Sequence, residues 1–216
     1  ELADQVSCAE ACEGIDTVVH MAANPSPRAE FYDGLLESNI KGPYNILKAA
    51  KEMGCRRVVL GSSVQAVAGY PLDVQVHEDS PPRPLNMYGV CKCFAEAAAY
   101  YFAASEGLSC IVVRIGTWEN DWIKKSLVAR HLSTFVSQRD LCELLIRCIE
   151  TQGVQFAIAH GVSNNRFKFL DITATRAVLG YEPKDDAFRI HGINLPYCKE
   201  WVGGYQSRGL YTVHED

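Results

Sequence analysis

The chain has 216 residues, 48% hydrophobic and 22% charged, with a formal net charge of −5 at pH 7. This describes a one-domain globular chain with enough apolar material for a buried core, and no basic field for nucleic acid or an anionic membrane. No apolar run approaches the roughly 20 residues of a membrane span, and no segment reads as a signal sequence.

In chain order, the first 16 residues carry no strand, and the first apolar run is "TVVHMAA" (17–23). Three more follow: "RRVVLGSS" (56–63), "SCIVVRIG" (109–116) and "VQFAIAHG" (154–161). They are rich in Val and Ile and nearly continuous, which is how strands covered on both faces of a parallel sheet read. Helix-like stretches fall between and after them, at about 31–54, 87–106, 138–151 and 170–179. Gly54, Gly107 and Gly180 stand at the expected helix C-termini, and Asn86 and Ser137 at N-caps. Alternating β and α predicts a doubly wound α/β fold in a single domain. The segment after Gly116 is expected to supply a small substrate-binding part. A long proline-containing loop, "SSVQAVAGYPLDVQVHEDSPPRPLN" (62–86), precedes the second of these helices.

The nine cysteines include no CxxC pair. They read as free thiols acting as small hydrophobes in a reducing cytoplasm. Cys8 and Cys12 have helical spacing but no second ligand pair, so no metal site is expected.

The chemistry concentrates at the end of the second predicted strand and the start of the helix at 87. Ser62 and Ser63 stand at a carboxyl edge, where open α/β sheets bind ligands. Tyr88 and Lys92 are four apart and share a helix face. A hydroxyl, a phenol and an ammonium are the parts of a proton-transfer site. A cation beside a phenol lowers its pKa from near 10, and reaching 7 takes roughly 4 kcal/mol of differential stabilisation.

In order and spacing, "HMAAN", "SNIKGPYNILKAAKEMGCRRVVLGSS", "HEDSPPRPLNMYGVCK" and "VVRIG" resemble the extended short-chain dehydrogenase/reductases, which have a Rossmann fold. The resemblance implies a catalytic trio of Ser63, Tyr88 and Lys92, with Asn39 supporting the lysine through water. It also implies that Ala22, Ala23, Asn39, Ser62, Tyr88, Lys92 and Ile115 approach NAD. NADP is the other option, because the acidic residue that separates the two lies outside this sequence. Further on, "RIGT", "RHLSTFVSQRDLCELLIRCI" and "GVSNNRFKFLDITATRAVLGYEPKDDA" resemble the uronate dehydrogenases. These oxidise the anomeric carbon of a uronic acid to an aldarolactone. That resemblance implies substrate contacts from Ser63, Gln65, Tyr88 and Thr117, and a carboxylate clamp from Arg130. The expected partner is a small sugar acid, and a homodimer through the helices at 31–54 and 87–106 is the expected assembly.

Three departures accompany the resemblance. Val64 and Gln65 follow the serine where the uronate enzymes have Asn-His. The interval from Thr117 to Arg130 is longer, through "WENDWIKKSLVA", which puts Lys124 and Lys125 near the clamp. No GxGxxG turn occurs, and "ELAD" resembles the segment after the family's third strand, so about 50 residues of front are expected to be missing. The alternatives are a sugar or sugar-nucleotide epimerase or dehydratase using the same trio, and a truncated, non-catalytic binding module.

Overall fold

The computed structural model describes residues 1–118 and 128–193. Its centre is a four-stranded, wholly parallel sheet in the order β1-β2-β3-β6: β1 Thr17–His20, β2 Arg57–Ser63, β3 Ser109–Ile115 and β6 Phe156–Gly161. A two-stranded parallel pair, β4 Thr117–Trp118 and β5 Phe135–Val136, extends from the end of β3. The helices are α1 Gln5–Cys12, α2 Gly42–Glu52, α3 Met87–Ala104, α4 Ala129–Thr134, α5 Gln138–Glu150, α6 Thr173–Leu179 and α7 Ala187–Ile190. A π-helix, Phe31–Lys41, leads into α2, and a 3₁₀ turn, Val64–Val67, follows β2. This is a Rossmann-like α/β arrangement, as the alternation of runs predicts.

The two central strands are continuous hydrophobic runs because helices cover both faces. Along β2 and β3, successive side chains point to opposite sides of the sheet. Val58, Leu60, Cys110 and Val112 pack with Leu47 and Ala50 of α2 and Ala95, Ala99 and Phe102 of α3. Val59, Ile111 and Val113 pack with Leu141, Leu144 and Cys148 of α5 and with Tyr181. The alanines of α3 let that helix lie close against the sheet. Phe102 belongs to this core, whereas Tyr100 and Tyr101 are exposed.

Local signals act where expected. Asn86 caps α3 by accepting from the Gly89 amide at 2.8 Å, and Ser137 caps α5 by accepting from the Asp140 amide at 3.2 Å. Gly54, Gly107 and Gly180 follow their helices with φ of +74°, +73° and +66°. Two elements had weak patterns and were not anticipated. One is α1, held by its Asp4 cap and by Cys8 and Cys12 against α2; the other is the short β4–β5 pair. The first strand is also shorter than expected, since pairing with β2 ends at His20.

Eight cysteines are free thiols, most of them buried, and Cys198 lies outside the described residues. Among the described residues, no helix is long and apolar enough to cross a membrane.

Candidate active site

Parallel strands all end on the same side, so residues from β1, β2 and β3 gather at one carboxyl edge. There, loops and α4 enclose a cavity of about 470 Å³. Ser63 is the last residue of β2, paired in register with Ile115 at the end of β3, and both line the cavity. Extended backbone at Ser63 turns at once into the 3₁₀ segment, whose Gln65 amide donates to Ser63 Oγ at 3.2 Å. Tyr88 and Lys92 reach the cavity from the first turns of α3, and all three members of the trio are buried.

Gly89 explains how the helix start and the strand end come so close. A Cβ there would lie 2.5 Å from the Gln65 carbonyl oxygen, so only glycine lets α3 seat on the turn that follows Ser63. Asn86 reinforces the contact by donating from Nδ2 to Gln65 Oε1 at 2.9 Å.

Burial governs the electrostatics. Desolvation pushes the Lys92 ammonium down to about 8, with Cys91 and Glu96 pulling the other way. Its Nζ donates to the Gly61 carbonyl at 2.7 Å and lies 5.5 Å from the Tyr88 ring centroid. Burial raises the Tyr88 phenol, and the Ser63 hydroxyl opposes that rise. The phenol therefore stands above its ordinary value rather than below it, because desolvation outweighs the Ser63 hydrogen bond. Desolvation also drives His20, beside Lys92, down to about 4, so its imidazole is neutral at pH 7.

Most of the remaining expected residues meet at the same cavity. Ala23 and Ser62 line it, while Ala22 is exposed on the loop just before Ala23. Gln65 and Thr117 line it too, with Thr117 Oγ1 2.7 Å from Thr134 Oγ1. Gly116 permits that pairing, since a Cβ there would sit 1.9 Å from the Thr134 carbonyl oxygen. Despite the longer interval, Arg130 comes to the same cavity. Its Nη2 donates to the Ala68 carbonyl at 2.7 Å, and its guanidinium stacks 4.8 Å from the Phe169 ring centroid. Lys124 and Lys125 lie outside the described residues.

Asn39 is buried, and its side-chain amide pairs with the Asn24 backbone. Its Oδ1 accepts from the Asn24 amide at 2.8 Å and its Nδ2 donates to the Asn24 carbonyl at 3.0 Å. It thereby clips the loop after β1 to the π-helix. Trp118, His131 and Thr134 also line the cavity, and Met21, Pro25 and Pro27 close its side. None of these carried a signal in sequence, because each is ordinary until folding brings it to the edge.

A second cluster, His77, Glu78 and Asp171, brings ligand-type atoms within 4.8 Å of one another. Its carboxylates already serve α6: Glu78 Oε1 accepts from the amide and hydroxyl of Thr175, and Asp171 from those of Thr173. The cluster is therefore read as the anchor of that helix.

Residues 1–152 match the family model described as the NAD dependent epimerase/dehydratase family. The chain belongs to this family. Among curated relatives, it is 30% identical over 187 residues to a uronate dehydrogenase of Pseudomonas putida, covering 87% of this chain and 67% of the relative. It is 31% identical over 199 residues to the NAD-dependent glucose-6-phosphate dehydrogenase of Haloferax volcanii, covering 87% and 75%. Among solved structures, uronate dehydrogenase from Agrobacterium tumefaciens superposes with a TM-score of 0.79 at 30% identity, over 92% of this chain and 74% of the other. The family's fold and NAD dependence agree with the parallel sheet and the edge cavity; the chain is an NAD-dependent oxidoreductase by family.

Proposed function

We propose that the intact protein oxidises the anomeric carbon of a small uronic acid to the aldarolactone. The observation that carries this reading is the convergence of Ser63, Tyr88, Lys92 and Arg130 on one cavity at the carboxyl edge of the sheet. Ser63 hydrogen-bonds the anomeric hydroxyl and lines it up with Tyr88. Tyr88, as phenolate, takes the hydroxyl proton; the freed O–H electron pair becomes the C1=O bond as hydride leaves C1. NAD, when bound, supplies the two-electron acceptor for that hydride.

The chain's own residues fit the nicotinamide end of such a group. Ala23, Ser62 and Ile115 offer small or apolar walls, and a cationic ring held there would favour the Tyr88 phenolate that burial disfavours. Arg130 offers the sugar carboxylate a planar fork, already oriented by Ala68 and Phe169. Gln65, held by Asn86, stands where the uronate enzymes have another polar residue, and it is assigned a substrate hydroxyl. The segment after Gly116 supplies Thr117 and Arg130, and so acts as the small substrate-binding part.

A sugar phosphate is the second reading, supported by the likeness to the Haloferax volcanii glucose-6-phosphate dehydrogenase and by the suitability of a guanidinium for phosphate. A cytoplasmic setting, supported by the free thiols, and a homodimer through the π-helix, α2 and α3 complete the proposal. The deciding experiment is NAD reduction by the intact protein with uronic acids, neutral aldoses and aldose 6-phosphates. Turnover highest on a uronic acid is the expected result. Turnover confined to phosphates selects the second reading, and interconversion of epimers without net NADH would show an epimerase.

A further inference from the structure

Three consecutive residues at the end of β2 each face a different turn of α3. The Gly61 carbonyl accepts from Lys92 Nζ at 2.7 Å. The Ser62 hydroxyl donates to Glu96 Oε1 at 2.6 Å. Ser63 lies at the cavity with Tyr88. Glu96 is one helical turn beyond Lys92 and is 6% exposed. Its carboxylate also receives a two-pronged ion pair from Arg114 of β3, with Nε to Oε1 at 3.0 Å and Nη2 to Oε2 at 2.9 Å. Arg114 is the in-register neighbour of Ser62 and is 1% exposed, and its Nη1 reaches the Glu78 carbonyl at 3.4 Å.

We propose that Glu96 is a positioning residue for the proton-transfer site: through Ser62 and Arg114 it locks α3 in register with the ends of β2 and β3, and it supplies the buried negative charge that stands behind Lys92. The inference rests on the reading of Ser63, Tyr88 and Lys92 as the reactive trio. A buried carboxylate with this many donors is not needed to hold a helix on a sheet, since the alanine face of α3 already does so. Replacing a buried ion pair by apolar groups is often neutral for stability, so the placement of this pair directly behind the lysine points to the site. The charged and titratable groups around Lys92 are Tyr88, Cys91 and Glu96 on α3 and His20 on β1, with Arg114 on β3 behind Glu96. Of these, Glu96 is the group whose charge favours the ammonium at neutral pH, because the Cys91 thiol is raised by burial and His20 is neutral.

The test uses Glu96→Gln in the intact protein with two readouts. The first is the titration of Lys92, followed by competitive acetylation at a series of pH values and quantified by mass spectrometry; it needs no turnover. Loss of the negative charge is expected to lower the Lys92 titration by roughly one unit. The second is the split between kcat and KM: kcat is expected to fall roughly 10- to 100-fold with KM little changed, and its pH profile to move in the same direction as the Lys92 titration. If Glu96 only held the fold together, Lys92 would become hydrated and titrate higher, towards its ordinary 10.5, and the proposal would fail. An unchanged titration would overturn it as well. Should the single variant not fold, Glu96→Gln with Arg114→Met removes both buried charges. Wild-type kcat and an unaltered Lys92 titration in that double variant would sink the proposal, and a lowered titration with lowered kcat would support it. If the wild type reduces NAD with no sugar acid, the functional reading fails while the acetylation series still decides the role of Glu96.

Discussion

Tyr88, Lys92 and Arg130 each admit a test by single substitution, because the proposed function gives each one chemical job. Tyr88→Phe removes the proton acceptor while keeping the ring in its pocket, so the turnover of the intact protein should drop by about 10² to 10⁴ with the fold preserved. Retention of most of the turnover would reassign the base. Lys92 is a buried ammonium with a pKa near 8 in the folded state against 10.5 for the free side chain. Below pH 8 its burial destabilises the fold in full. Between pH 8 and 10.5 the folded state sheds the proton that the unfolded chain keeps, and the penalty fades. The shift corresponds to about 3 kcal/mol. The stability advantage of Lys92→Met over wild type, read from urea unfolding, should therefore shrink as pH rises from 7 to 10. An advantage that stays constant would mean that Lys92 is not a buried charge. Arg130→Ala should lower kcat/KM for a uronic acid by roughly two to three powers of ten, because an unpaired buried carboxylate costs about 3–5 kcal/mol. Activity on the matching neutral aldose should hardly change, and Arg130→Lys should restore part of the loss. Equal losses on acid and aldose would instead make Arg130 a support for the Ala68 and Phe169 contacts.

At the scale of elements, the decisive contact is between the 3₁₀ turn after β2 and the first turn of α3. Gly89→Ala would put a methyl 2.5 Å from the Gln65 carbonyl oxygen, and backbone cannot yield as a side chain can. Overpacking of this kind typically costs about 1–3 kcal/mol. The expected outcome is a lower melting temperature together with a fall in kcat, since the displacement separates Ser63 from Tyr88. A variant with normal stability and normal turnover would show that the two elements tolerate a wider gap. The start of α3 was legible in sequence because Asn86 is a cap and the run behind it is alanine-rich. Its contact with Gln65 was not, because nothing in a local pattern says which turn a helix will rest on. The π-helix was likewise hidden: its residues read as ordinary helix, and the wider turn accompanies the clip from Asn39 to the Asn24 backbone.

For the molecule as a whole, cofactor binding needs more than the edge cavity. A dinucleotide on this fold rests its pyrophosphate on a glycine-rich turn at a helix N-terminus, and no such motif occurs among the 216 residues. Residues 1–216 alone should therefore bind NAD very weakly by calorimetry, whereas micromolar binding would show that the walls of the edge cavity suffice. What the sequence determined by itself was the sheet, the helices around it, and the gathering of Ser63, Tyr88 and Lys92 at its carboxyl edge. Continuous Val and Ile runs between helix-like stretches leave few arrangements other than a covered parallel sheet, and the serine, tyrosine and lysine carry a spacing that survives without coordinates. Tertiary structure alone decided the uses of the polar groups. It committed Asn39 to a loop and brought Arg130 to the cavity across a lengthened interval. It also raised the Tyr88 phenol instead of lowering it, and set Glu96 and Arg114 behind the lysine. The physical reason is that desolvation and ion pairing depend on distances between segments far apart in the chain, which periodicity does not encode.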